Sequence, residues 1–182
     1  VKCIQVENPD GMYLVGRTFI PTHNSYALRW EAHRNGLEYE NIKILLIRSS
    51  FPELENTHLL QLQFDFSPGI ISYNGQRHRA TYLSTNSILQ FGYGDKLTDF
   101  SQYLSTEWDV LLIDELTTIP FEFSYLLRSR LAGSRKDFTP FWANASNPGN
   151  RAHASVKAYF MDKNPDKEIY TKYKESEVLY IH

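Results

Sequence analysis

The chain has 182 residues, enough for one α/β domain with a sizeable core. Its net charge of −2 argues against a strongly basic nucleic-acid-binding surface, and its single cysteine, Cys3, excludes an internal disulfide and fits a reducing cytosol. No apolar run reaches membrane-spanning length and no signal-peptide pattern is present, so no membrane association is expected.

Residues 1–24 alternate like strands around a turn at Asn8-Pro9-Asp10-Gly11. The pattern predicts a helix over 26–33, then a short apolar run over 42–48 that suits a buried parallel strand. Pro52 sits where a helix could begin, and Leu54, Leu59, Leu60 and Leu62 give that helix an apolar side. Residues 78–93 read as two strands joined by a polar turn at Ser84-Thr85-Asn86-Ser87. A second buried strand is expected over 110–113, a helix over 120–131, a third core strand over 138–145 and a helix over 152–161. Strands alternating with helices predict a mostly parallel sheet with helices on its faces. The chain opens on Val1 and its last residues, 178–182, alternate like an unfinished strand; a piece of a longer gene product is expected.

The strongest chemical signal is Val110-Leu111-Leu112-Ile113-Asp114-Glu115. Four apolar residues make a central strand, and two carboxylates follow at its C-terminal end, the edge where open α/β sheets bind ligands. The string is similar to the Walker B motif of P-loop NTPases. That likeness gives Asp114 the Mg²⁺ of a bound ATP and Glu115 the attacking water. The alternative is a buried strand followed by two solvated acids. A second polar motif, Asn144 to Gly149, follows the next predicted strand. Asn147 is the candidate γ-phosphate sensor there; a turn former before Pro148 is the other reading.

A P-loop NTPase needs G-x-x-x-x-G-K-[ST] before its first helix, where glycine backbone N–H groups wrap the phosphates and the Lys neutralises charge. The chain has no such loop, although Ser25-Tyr26-Ala27-Leu28-Arg29-Trp30 looks like the helix that follows one. Gly16-Arg17-Thr18-Phe19-Ile20-Pro21-Thr22-His23-Asn24 stands in its place. This segment, with Val1 to Glu7 and Gly11 to Gly16, resembles the C-terminal end of an intein, which ends in His-Asn followed by Ser, Thr or Cys. The resemblance makes Asn24 the residue that cyclises onto its own carbonyl and His23 the acid/base that assists. Ser25 becomes the acceptor nucleophile for splicing and, afterwards, the Mg²⁺ ligand of the restored phosphate loop. Asp10 stands near where many inteins carry a His, and Cys3 where some have Asp; Cys3 is either a block residue or a plain strand cysteine.

Several segments beyond Ser25 are similar to phage terminase large subunits, the motors that pump DNA into capsids. They are Leu45 to Leu54, Ile88 to Tyr93, Leu126 to Leu131 and Asn144 to Gly149, in that order and spacing. The resemblance implies residues 1–24 as an intein segment and 25–182 as a terminase ATPase domain of RecA/ASCE type, without its phosphate loop and nuclease domain. It further implies ATP and Mg²⁺, double-stranded DNA, a portal protein and a small terminase subunit as partners, a homo-oligomeric ring, and assembly in the host cytoplasm. The remaining intein would be supplied in cis or in trans. Without the phosphate-loop Lys this chain alone is expected to hydrolyse ATP poorly or not at all. Arg128 or Arg130 could serve as an arginine finger, though solvated helix cations are the favoured reading. Arg48 contacts nucleotide, braces the loop, or lies on the surface at a strand end. Another P-loop ATPase or helicase, or a non-catalytic binding module, are the competing functions.

Overall fold

The computed structural model describes residues 13–15, 20–22, 24–132 and 137–162. Cys3, His23, the expected turn at Asn8-Pro9-Asp10-Gly11 and the alternating residues 178–182 lie outside them. A small antiparallel pair comes first, β1 (Tyr13–Val15) and β2 (Ile20–Thr22), with Tyr13 opposite Thr22. Helix α1 (Asn24–Glu38) follows, longer at both ends than the 26–33 expected.

Six strands then build one sheet: β3 (Lys43–Arg48), β4 (Ile71–Asn74), β5 (Arg79–Tyr82), β6 (Ile88–Tyr93), β7 (Val110–Ile113) and β8 (Phe141–Asn144). Their spatial order is β4-β5-β6-β3-β7-β8. β6, β3, β7 and β8 run parallel, whereas β4 and β5 are antiparallel additions at one edge. The mostly parallel α/β expectation therefore holds, with β4 an extra strand.

The apolar runs of β3 and β7 are continuous because both faces of the sheet are covered. Alternate residues divide between two cores, as the period of 2 along a strand requires. Ile44, Leu46, Val110 and Leu112 pack on one face with Leu28 and Ala32 of α1, with Leu54 of α2 (Phe51–Leu54) and with Leu62 of α3 (Leu60–Asp65). Leu45, Ile47, Leu111 and Ile113 face the other way, onto Phe123 and Leu127 of α4 (Phe121–Arg128), Trp142 and Phe160. Each fully buried Leu or Ile contributes on the order of 1.5–3 kcal/mol.

Two expectations need correction. The helix starting near Pro52 does not keep one regular apolar side: a π-helical turn (Glu55–Leu59) separates α2 from α3. Its extra residue per turn rotates the helix face, so Leu60 is 51% exposed and the polar His58 is fully buried. The helix over 120–131 is shorter, because after Arg128 the chain turns and Leu131 bridges to Trp108. The expected last helix is α5 (His153–Lys157), continued by a π-helical turn (Ala158–Asp162). No helix among the described residues is long and apolar enough to cross a membrane.

Parallel register aligns the C-terminal ends that matter. Ile47 pairs with Ile113 and Ile113 with Asn144, so Arg48, Asp114 and the 144–149 loop leave the sheet at one edge. The ladder continues past the strands, with Asp114 N–H donating to Ile47 O and Ala145 N–H to Ile113 O, each at 2.9 Å.

Candidate active site

Strand parity puts Arg48 and Asp114 on the face covered by α1, since both follow the register of Leu46 and Leu112. The N-terminus of α1 meets them there. Ser25 Oγ donates to Asp114 Oδ1 at 3.1 Å. The three residues come from α1, the end of β3 and the end of β7, 25 to 114 in the chain, and only the parallel sheet brings them together.

Asp114 has no exposed surface, and a buried charge is costly unless fully paired. Every lone-pair direction of its carboxylate is used. Oδ1 accepts from Ser25 Oγ and from Glu115 N–H at 3.1 Å. Oδ2 accepts from Arg48 Nη1 at 2.7 Å and His58 Nε2 at 3.0 Å. A carboxylate can only accept, so Nε2 of His58 carries the proton in this pairing; its Nδ1 has no partner. Burial alone would push the Asp114 carboxyl up, but His58, then Arg48 and Ser25, outweigh it and hold the group below the usual carboxylate range.

Glu115 sits differently. Its backbone is left-handed (φ 51°, ψ 50°), a conformation uncommon outside glycine. Strict alternation would send the Glu115 side chain to the opposite face; this twist returns it to the side of Arg48. Arg48 Nη2 lies 2.8 Å from Glu115 Oε1, while 31% of the Glu115 side chain stays open to solvent. One guanidinium thus spans a fully buried acid and a solvent-facing one, and Nη1 also donates to Thr57 Oγ1 at 3.2 Å. Arg48 is therefore not a strand-end surface cation: it is buried, and it braces both acids.

The 144–149 loop is laced to the turn after Asp114. Thr117 N–H donates to Ser146 Oγ and Thr117 Oγ1 donates to Asn147 O, both at 2.9 Å, while Leu116 N–H reaches Ala145 O at 3.0 Å. Asn147 itself is exposed, and its Oδ1 faces Asn24 Nδ2 at 3.5 Å. Asn24 Oδ1 accepts from Ser25 N–H at 3.0 Å, so the Asn24 amide is engaged on both sides at the start of α1. The structure brings together Asn24, Ser25, Asp114, Glu115 and Asn147; His23 lies outside the described residues. Arg128 and Arg130 are not free helix cations. Arg128 Nη1 donates to Tyr159 OH at 2.9 Å and its guanidinium lies over the Trp142 ring, while Arg130 Nε reaches Thr106 O at 3.3 Å.

Sequence reasoning missed His58 and Thr117. His58 had no periodic signal, because the π-helical turn that aims it at Asp114 breaks the helical period. Thr117, beside the Walker B-like acids, was legible only as a flanking residue.

The residue types at hand suit a magnesium ion, which would enter by displacing the Ser25–Asp114 hydrogen bond. Ser25 Oγ and Asp114 Oδ1 face each other, one hydroxyl and one carboxylate, the hard oxygen donors that Mg²⁺ takes alongside water and phosphate. Asp114 Oδ2 is already held by Arg48 and His58, which fixes the orientation of Oδ1.

No protein-family model matches this sequence, and no curated protein matches it. Among solved structures the fold is similar to the large terminase of a thermophilic bacteriophage. One crystal form gives a TM-score of 0.61 at 12% identity, covering 85% of this chain and 36% of that one. The same protein in complex with ADP gives 0.55 at 11% identity, covering 84% and 41%. Its complex with ATP-gamma-S gives 0.51 at 10% identity, covering 86% and 40%. This chain thus spans well under half the length of the proteins it matches. The mostly parallel α/β fold of this chain is similar to part of that large terminase.

Proposed function

We propose that residues 25–182 belong to the ATPase of a DNA-packaging motor, a large terminase subunit, and that residues 1–24 are the C-terminal end of an intein. The observation that carries the motor reading is the 3.1 Å contact between Ser25 Oγ and Asp114 Oδ1, made where the N-terminus of α1 meets the C-terminal end of β7. A helix N-terminus beside a strand-end carboxylate suits a nucleoside triphosphate and its metal, because free backbone N–H groups and the helix dipole attract phosphate.

Ser25 and Asp114 would hold Mg²⁺, which would offset charge on the transferring phosphoryl group. Glu115 accepts a hydrogen bond from the attacking water and polarises it; for that, Glu115 must exchange its contact with Arg48. Asn147, at the tip of the 144–149 loop, senses the γ-phosphate, and Thr117 ties that loop to the acids. Hydrolysis belongs to the protein in which a phosphate loop precedes Ser25. Its partners are double-stranded DNA, a portal protein, a small terminase subunit and further copies of itself in a ring, in the cytoplasm of the host.

In splicing, the Asn24 side-chain nitrogen attacks the Asn24 main-chain carbonyl carbon. The Asn24–Ser25 peptide bond breaks, a succinimide forms, and the Ser25 amine leaves with a proton that His23 helps deliver. Before that, Ser25 Oγ takes the upstream segment from a (thio)ester on the first residue of the complete intein, whose thiol or hydroxyl leaves; once Asn24 cyclisation frees the Ser25 amine, the acyl group shifts from Oγ to that nitrogen. The attack requires Nδ2 to leave Asn147.

Two measurements test these readings separately. Mass spectrometry of the expressed precursor should show release before Ser25 that Asn24→Ala abolishes; release that survives the change sinks the intein reading. The full-length protein, expressed with the intein coding sequence removed, should hydrolyse ATP faster when duplex DNA is present. A protein that binds no nucleotide sinks the motor reading.

A further inference from the structure

No Asp or Glu occurs between Asp65 and Asp95, although acidic residues make up 21 of the 182. The stretch is therefore locally cationic in a chain whose net charge is −2. Within it, β4 and β5 form an antiparallel hairpin at the edge of the sheet, with Asn74 opposite Arg79. The turn between them reads Gly75-Gln76-Arg77-His78.

This tip is held firmly. Arg77 N–H donates to Asn74 Oδ1 at 3.0 Å, and Arg79 Nε donates to Gln90 Oε1 at 3.0 Å. His78 takes a left-handed backbone (φ 49°), its carbonyl accepts from Phe91 N–H at 2.9 Å, and its ring lies 3.9 Å from that of Phe51. Arg77 is exposed and Arg79 half-buried at the foot of the turn. Phe51 opens α2, and Arg48, three residues earlier, spans Asp114 and Glu115. The cationic tip is thus one aromatic contact and a short segment away from the residue that braces both acids.

We infer that the β4–β5 hairpin contacts the sugar–phosphate backbone of duplex DNA, with Arg77 and Arg79 binding phosphate oxygens. The identity of the polyanion rests on the motor reading above. Guanidinium groups pair with phosphate through parallel N–H bonds and carry no base preference when they reach only the backbone. Two such contacts are weak and salt-sensitive, which suits a track that must be released on every cycle. Through Phe51, a shift of the hairpin on DNA reaches the start of α2 and hence Arg48.

The test is fluorescence anisotropy of the full-length protein with a short labelled duplex across a range of salt concentrations. Arg77→Glu should weaken binding several-fold and equally for unrelated duplex sequences. Arg77→Ala should lower the logarithmic salt slope by about 1, and the Arg77→Ala/Arg79→Ala double variant by about 2. Arg77→Lys should restore most of the affinity, because it keeps the charge. Arg77 lies on the exposed turn, so these single variants leave the core intact. Duplex affinity and salt slope unmoved by Arg77→Glu would overturn the inference, as would a protein that binds no duplex or prefers single-stranded RNA. Binding of a fluorescent ATP analogue to the same wild-type protein separates the two ideas. Nucleotide binding without Arg77 dependence sinks the hairpin alone, and Arg77 dependence without nucleotide binding sinks the motor reading alone.

Discussion

Ser25 and Asp114 stand 89 residues apart in the sequence and 3.1 Å apart in space, hydroxyl to carboxylate. The contact exists because α1 covers the face of the sheet onto which the even-numbered residues of β7 point, and because β7 lies beside β3 at the sheet centre. Asp114 is held from behind by Arg48 and His58, so the oxygen presented to Ser25 cannot turn away. The proposed metal and phosphate site is thereby positioned before either arrives.

Arg48 is the keystone of that arrangement, since one guanidinium serves both acids. Arg48→Met should destabilise the fold by about 3–5 kcal/mol, because it strands the Asp114 charge in the interior. Equilibrium urea unfolding reads this out directly. A loss below about 1 kcal/mol, the size expected of an exposed ion pair, would mean that the pairing carries little energy.

The sheet face bearing α1 also holds a buried cluster with a predictable pH response. Arg29 Nε meets Asp65 Oδ2 at 2.5 Å, and His33 bridges the same carboxylate to Tyr82 OH, each at 2.9 Å. Burial lowers the His33 pKa below its usual 6.5, more strongly than the Asp65 hydrogen bond raises it. Folded His33 therefore takes up its proton at lower pH than the unfolded chain does. The stability it contributes is complete above 6.5 and is lost as pH falls from there towards the folded value, at no more than about 1.4 kcal/mol per pH unit. Burial pushes Asp65 up, but hydrogen bonds from Arg29 and His33 outweigh it, so its own contribution is lost only below the usual 3.8. Thermal melts between neutral and mildly acid pH should show the His33 slope, and His33→Gln should flatten it. An equal slope in the variant would assign the response to another group.

Much of this fold was legible in the sequence, and the exceptions have physical causes. The runs over 42–48 and 110–113 read as buried strands because both faces of the sheet are covered, leaving no polar alternation to confuse them. The polar turn at Ser84-Thr85-Asn86-Ser87 joins β5 to β6 as expected. β4 was missed because its residues after Ile71 are exposed, giving an edge strand with no apolar face to read. Leu60 was placed on an apolar side that the π-helical turn rotates into solvent. Asp114 and Glu115 were legible from their place at the end of an apolar run. The role of Arg48 was not, because its burial depends on the parallel pairing of β3 with β7.

Gly94 follows β6 and donates its N–H to Arg48 O at 3.1 Å. A Cβ there would overlap the Phe123 ring, which is fully buried beneath it. Gly94→Ala should therefore cost about 1–3 kcal/mol through overpacking. Chemical denaturation would measure it, and a neutral result would show that α4 can slide without cost.

The most direct test of the central claim is a double-mutant cycle on the proposed Mg²⁺-dependent ATP hydrolysis, measured on the full-length protein with the proposed intein segment removed. Ser25→Ala and Asp114→Asn should each remove most of the turnover. The double variant should be little worse than the poorer single, because two residues that act on one metal ion lose the same function once. Turnover indifferent to both substitutions, or losses that simply multiply, would contradict a site shared by Ser25 and Asp114.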